Sequence, residues 1–252
     1  MTKRGRMARR TAALALGALV VGSLGVLVAG LVMSIAREGL AEVAYFAIFL
    51  LLPASLGFVG LVLALRRPEN AVGWLLLVSG ALAGFAFAGG EYVTTAASVG
   101  GHWPFLPAAA WVSSVWFVPS IGLLVVFLPL LFPTGRLLSP RWRVVAWIGV
   151  FGVAAGALGP ATTPTVSAQD VSLPNPLAAP EPLAGAIRLA TDASNVVAPV
   201  IFVIAVVSLL LRFRRSRGAE RQQIKWFLFV AAIAAIAFGV SLTNIPTLSD
   251  AG

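Results

Sequence analysis

The chain has 252 residues, 59% of them hydrophobic and 11% charged, with a formal net charge of +9 and a mean hydropathy of +0.96. Such a composition lies far from that of water-soluble domains and points to a membrane protein. Cysteine is absent, which excludes disulfides, thiol nucleophiles and Cys-ligated metals. The basic residues form collars between apolar runs rather than a stripe on a soluble face, which argues against nucleic acid as a partner.

A bilayer core of about 30 Å takes about 20 apolar residues per helix. Seven such runs lie near 12–35, 42–65, 71–93, 109–132, 144–160, 194–211 and 226–246. The first follows a basic start, and Ser34-Ile35-Ala36 resembles a signal-peptide cleavage site. Its apolar stretch is longer than the roughly 7–15 residues of a signal peptide, so it reads as an uncleaved anchor. Gly80 with Gly84 and Gly152 with Gly156 have GxxxG spacing, and Gly25 with Ala29 forms a weaker small-residue pair. Such spacings let helix backbones approach closely, here within one bundle rather than across a dimer. Pro53, Pro119, Pro129 and Pro199 fall inside runs, where they permit kinks. Between the fifth and sixth runs, residues 161–193 carry Pro164, Pro174, Pro176, Pro180 and Pro182. Prolines so closely spaced predict an extended or irregular segment, with Leu183 to Asp192 as a short interfacial helix.

Sixteen of the eighteen Lys and Arg residues fall before the first run or in alternate gaps: Lys3 to Arg10, Arg66–Arg67, Arg136 to Arg143, and Arg212 to Lys225. The other gaps hold only Arg37 and Arg188, and just two of the nine acidic residues, Glu69 and Glu220, fall in the basic gaps. Basic loops stay in the cytoplasm. The expected fold is therefore an all-α bundle of about seven spans in the bacterial plasma membrane, as one domain, with the N-terminus inside and the C-terminus outside.

Ionisable groups at mid-membrane mark transport or proton relay because their burial demands a reason, and no run carries one at its centre. Glu91, beside Tyr92 at the outer end of the third run, is a candidate for an interfacial anchor or an outward-facing sensing site. His102, the sole histidine, lies in the outer loop Gly100-Gly101-His102-Trp103-Pro104. It is a candidate pH-sensing group or a loop residue without a role, and alone it cannot hold zinc. Lys225 sits at the inner edge of the last run, which rules out a retinal-type Schiff base deep in that helix. No phosphate-binding loop, GxSxG or metal-helix motif occurs. The sequence therefore predicts no enzyme activity and no cofactor.

The inner loops have more pattern than anchoring requires. In Arg66-Arg67-Pro68-Glu69-Asn70-Ala71-Val72-Gly73-Trp74-Leu75, Asn70 is placed as an N-cap, Gly73 follows, and Trp74 lies one turn on at headgroup depth. The second loop reads Phe132-Pro133-Thr134-Gly135-Arg136-Leu137-Leu138-Ser139-Pro140-Arg141-Trp142-Arg143, a Pro/Gly turn and then a Ser-Pro helix start. The third runs from Arg212 to Trp226 as RFRRSRGAERQQIKW. Its Gly break, its acid within a basic run and its glutamine pair suit docking, with Arg217, Glu220, Arg221, Gln222 and Gln223 as candidates. Asn70, Gly73, Trp74, Gly135, Arg136, Arg141 and Trp142 complete the candidate cytoplasmic surface. Arg217 and Glu220 are spaced for a local pair. The plainer account is positive-inside anchoring with contact to anionic lipids.

These three loops resemble, in order and spacing, the N-terminal membrane region of a group of sensor histidine kinases common in actinobacteria. The resemblance covers residues 40–246. It implies a sensor-like input module that acts on a histidine kinase, as a separate partner or as a missing C-terminal part, or that pairs as a homodimer. The family's phosphoacceptor histidine and ATP-binding domain have no counterpart before Gly252, so the chain reads as a truncated input region or a stand-alone relative. A small transporter, channel, lipid-handling protein or assembly factor is the alternative.

Reporter fusions test the orientation. A fusion at Gly252 is expected to be active only outside the membrane, and one near Ser139 only in the cytoplasm. A Gly252 fusion active in the cytoplasm would mean six or eight crossings.

Overall fold

In a hydrocarbon core no water reaches backbone N–H and C=O groups, so each crossing segment closes its hydrogen bonds within a helix. The computed structural model describes the backbone of residues 3–38, 43–100, 103–168 and 171–242, and side chains within 4–36, 49–100, 103–168 and 171–233. Its helices are α1 (Lys3–Glu38), α2 (Val43–Arg66), α3 (Ala71–Val99), α4 (Leu106–Gly122), α5 (Leu128–Leu131), α6 (Trp142–Thr162), α7 (Leu183–Arg215) and α8 (Gly218–Leu242). A π-helical turn, Leu123–Phe127, joins α4 and α5 into one rod. Among the described residues, six rods are long and apolar enough to cross a membrane: α1, α2, α3, α4–α5, α6 and α7. The chain is an all-α, multi-pass membrane protein. The seventh run, near 226–246, begins inside α8 and ends outside the described residues.

The third rod is central. It packs against α1, α2 and α4, while α6 packs against α7 and α4. Small residues set the spacing. A Cβ on Gly80 would lie 2.6 Å from the Gly57 backbone nitrogen, and one on Gly60 would overlap the backbone of Leu77. Gly84 faces Ser23 and Pro53, so the first GxxxG pair serves packing within the chain. The second pair divides: Gly156 lies against Ser194 and Val118, but Gly152 has nothing within 4 Å, and neither has Gly25. Large apolar side chains such as Phe58, Trp147, Phe151, Val196 and Phe229 are exposed, as lipid-facing surfaces require.

The π turn has a local cause. Pro129 has no N–H to give to Val125, and its ring crowds that carbonyl. The chain widens by one residue just before it, and the Leu128 N–H donates to the Leu123 carbonyl instead.

The segment 161–193, expected to be extended or irregular, is extended at its centre and paired there as a hairpin. Thr165–Ala168 (β1) and Val171–Pro174 (β2) pair antiparallel, with Thr165 opposite Pro174 and Ala168 opposite Val171. Alternation along β1 puts Val166 and Ala168 on one face, where they are buried against Val93 of α3 and Ala110 of α4. Asn175 fastens the hairpin base: its Nδ2 donates to the Ala161 carbonyl at 3.1 Å and the Thr163 carbonyl at 2.6 Å, and its Oδ1 accepts from the Leu177 N–H at 2.8 Å. The helix expected over Leu183 to Asp192 is present as the first turns of α7.

Replacing Gly80 with Ala is expected to lower stability by about 1–3 kcal/mol, the usual range for overpacking, whereas Gly152→Ala should be neutral or slightly stabilising. Thermal unfolding of the two variants in micelles checks this; equal shifts would contradict the packing described.

Candidate functional site

The α2–α3 connection is a turn in which the Asn70 N–H donates to the Arg67 carbonyl at 2.9 Å. Asn70 then caps α3 with the extended backbone an N-cap needs, its Oδ1 accepting from the Val72 N–H at 2.9 Å. Its Nδ2 reaches into the second loop and donates to the Pro133 carbonyl at 3.2 Å. The Pro68 carbonyl accepts from Trp74 Nε1 at 3.1 Å and from Arg9 of α1 at 2.8 Å. Gly135 has φ +74°, and a Cβ there would meet the Asn70 carboxamide and lie 2.6 Å from the Ala71 nitrogen. Only glycine satisfies both the backbone angle and the close approach. Gly73 similarly lets α3 lie against Leu63 and Ala64 of α2.

The rod α4–α5 ends at this loop, and its last carbonyls need partners. The Phe132 N–H takes the Leu128 carbonyl and the Gly135 N–H that of Leu131, each at 2.8 Å. Arg212, from the end of α7, supplies a further donor. Its buried guanidinium donates to the Leu130 carbonyl at 3.1 Å, the Arg136 carbonyl at 2.7 Å and Thr134 Oγ1 at 2.7 Å. Arg212 thus ties α7 to the second loop while the second loop is tied to the first. A cation at a helix C-terminus also meets the negative end of the helix dipole.

Arg212 and Thr134 were not among the residues singled out in the sequence, because Arg212 reads there as the first of a run of topogenic arginines. A signal did exist. Ile201, Ala205 and Ser208 are buried, and the same helical period continues onto Arg212.

The three loops border an open cavity of about 750 Å³, lined by Arg66, Arg67, Glu69, Asn70, Arg136, Glu220 and Gln223, among others. Of the expected cytoplasmic surface, this brings together Asn70, Arg136, Glu220 and Gln223, with Gly135 packed beside Asn70. Trp74 packs into the core between α1, α2 and α3, and Trp142 lies against Leu130 and its neighbours. Arg141 is exposed away from the cavity. Arg221 stacks over the Phe213 ring at 5.0 Å, and Gln222 lines a separate groove beside it. Arg217 and Glu220 do not pair: among the described residues the one ion pair is Arg188 with Glu181.

At the opposite end, Glu91 is buried within the bundle. It lies against Gly30 of α1 and accepts from Thr95 Oγ1 at 2.9 Å. Tyr92 points elsewhere, donating to the Pro104 carbonyl at 2.8 Å and meeting Trp103 edge-on. His102 lies outside the described residues. The hairpin and the ends of α6 and α7 wall a second cavity of about 580 Å³, mostly apolar, with Thr191, Asp192 and the Glu181–Arg188 pair in its lining.

Arg212→Ala strips two carbonyls and a hydroxyl of a charged donor and is expected to cost about 2–4 kcal/mol, while Thr134→Val costs about 1 kcal/mol. Lysine cannot fork across three acceptors, so Arg212→Lys should recover only part of the loss. Unfolding midpoints and tryptic cleavage after Arg136 and Arg141 give the ranking; an Arg212→Ala protein cleaved no faster than wild type would refute the clamp.

No protein-family model, curated protein or solved structure matches the chain.

Proposed function

We propose that the chain is a non-catalytic, sensor-like input module of the bacterial plasma membrane. In this reading its basic end faces the cytoplasm and presents a docking surface to a histidine kinase. The observation that carries the reading is the course of α7. This helix runs without interruption from the hairpin-end cavity, which it lines with Arg188, Thr191 and Asp192, to Arg212 at the basic end. At 1.5 Å per residue, Thr191 and Arg212 are about 30 Å apart along the axis, the thickness of the membrane core.

A stimulus that binds the hairpin-end cavity better in one arrangement of α6 and α7 shifts the population toward that arrangement. Because Arg212 holds the second loop and Asn70 joins it to the first, the shift is delivered to all the basic loops together. The resemblance of those loops to sensor-kinase membrane regions supports the same reading. So does the bundle interior, whose buried polar groups are chiefly serines and threonines, with Glu91 and Arg212 near its two ends.

Affinity purification from membranes of the native host, with wild-type protein and the Glu220→Ala/Gln222→Ala/Gln223→Ala variant, tests the docking. A histidine kinase is expected with the wild type and severalfold less with the variant at equal membrane level. Equal recovery of the kinase with both would reject docking at this segment, and no kinase with either would reject the reading.

A further inference from the structure

The cavity at the basic end has a charge problem that the chain does not solve for itself. Arg66, Arg67 and Arg136 line it from two loops, and all three are exposed. Glu69 and Glu220 share the lining, yet neither comes within ion-pair distance of a basic group, since the one ion pair among the described residues lies at the hairpin end. Behind the wall sits Arg212, which donates to two carbonyls and a hydroxyl and has the Glu220 carboxylate in electrostatic reach, though not at ion-pair distance. Four guanidiniums therefore gather around one concave surface with two acids to offset them.

We propose that this cavity binds a phosphate ester whose esterified group carries hydroxyls. Guanidinium groups fork onto phosphate oxygens in paired, charge-assisted hydrogen bonds, so Arg66, Arg67 and Arg136 take the anion. Glu69 and Glu220 would repel a bare anion but accept hydrogen bonds from hydroxyls beside it, and Gln223 can both donate and accept. The walls are fixed in advance by the Asn70–Pro133 bond, the Gly135 contact and the Arg212 clamp, which lowers the ordering cost of binding. This chemistry is offered equally by a glycerophospholipid headgroup at the inner leaflet and by a soluble polyol phosphate.

A basic collar alone attracts anionic lipid by about 1 kcal/mol per side chain wherever that side chain sits. The cavity predicts instead that position matters. Two triple variants remove the same charge from exposed residues: Arg66→Gln/Arg67→Gln/Arg136→Gln inside the cavity, and Arg141→Gln/Arg143→Gln/Arg214→Gln outside it. The purified protein is placed in nanodiscs of phosphatidylcholine doped with phosphatidylglycerol, and lipid retention is read by native mass spectrometry. In parallel, glycerol phosphate is titrated into the protein in pure phosphatidylcholine discs.

Loss of phosphatidylglycerol by roughly tenfold in the cavity variant, against about twofold or less in the other, supports the site with a lipid occupant. The same dependence for glycerol phosphate supports it with a soluble one. Equal losses in both variants, or no selective binding in either arm, would overturn the site, and inorganic phosphate binding as tightly as glycerol phosphate would overturn the hydroxyl recognition. No partner protein enters the measurement, so its failure leaves the docking reading untouched.

Discussion

Burying a guanidinium costs several kcal/mol unless its hydrogens find acceptors, and the arrangement of the basic end follows from how Arg212 finds them. The acceptors exist because α5 stops at Leu131 and leaves carbonyls that its own helix cannot use. Pro133 prevents the helix from continuing through that point, and Gly135 turns the chain back so that the Arg136 carbonyl faces the same guanidinium. One helix's missing donors and another helix's unsolvated cation meet through both terminal nitrogens of Arg212, while its Nε is left without a partner. Neither feature is stable alone, so the end of α7 and the second loop are held as one unit.

That unit is joined to the rest through α3. Glycines at 60, 73 and 80 bring α2 and α3 to backbone contact, Gly57 makes room for Val20 of α1, and α1 lies over both helices as Ala13 and Val20 pack with Ala64, Leu77 and Ala81. With side chains this small there is little apolar area to bury between helices. In lipid that area would contribute little in any case, since the tails are as apolar as leucine, and dispersion across close backbones is what remains. The consequence reaches the loops. Helices so close bring the cap of α3 beneath the second loop, where Gly135 can sit on Asn70.

Periodicity and charge made much of this legible in the sequence. Among the described residues, six apolar runs became helices long and apolar enough to cross a membrane, because a twenty-residue apolar stretch has almost no other stable form there. Asn70 capped α3 as its position before an apolar helical run implies. Gly80 and Gly84 packed within the bundle. What stayed hidden depended on partners distant in sequence. Gly152 has the same spacing to Gly156 as Gly80 has to Gly84, but no helix lies against it. The hairpin at 165–174 was masked by its prolines, which flank the strands or end them rather than interrupt pairing, and its two buried residues are set by α3 and α4. Glu91 looks like a surface carboxylate until Gly30 of α1 is placed opposite it. Arg212 hides because a topogenic arginine and a structural one are the same letter.

The bundle divides unevenly around α4. On one side α1, α2 and α3 share a continuous apolar core; on the other, α6 and α7 pack mainly on each other and on the α4–α5 rod. The rod itself is interrupted by the π turn before Pro129, and Ser120 fastens it to α3 through a 3.0 Å bond to the Ser79 carbonyl. Much of α7 is exposed and apolar, with Val196, Val200, Val203 and Val207 facing outward, as a face in contact with lipid would be. Across elements α7 is hydrogen-bonded at Thr191, to the Ala155 carbonyl near one end, and at Arg212 near the other, and between them Ile201 and Ala205 are buried against Val126 and Leu130. The pair is thus hydrogen-bonded to its neighbours near its tips and packed through small and branched apolar side chains between them. Under the proposed reading, that distribution of contacts is what a bundle needs in order to connect a cavity beneath a hairpin to a basic surface on the far side of a membrane.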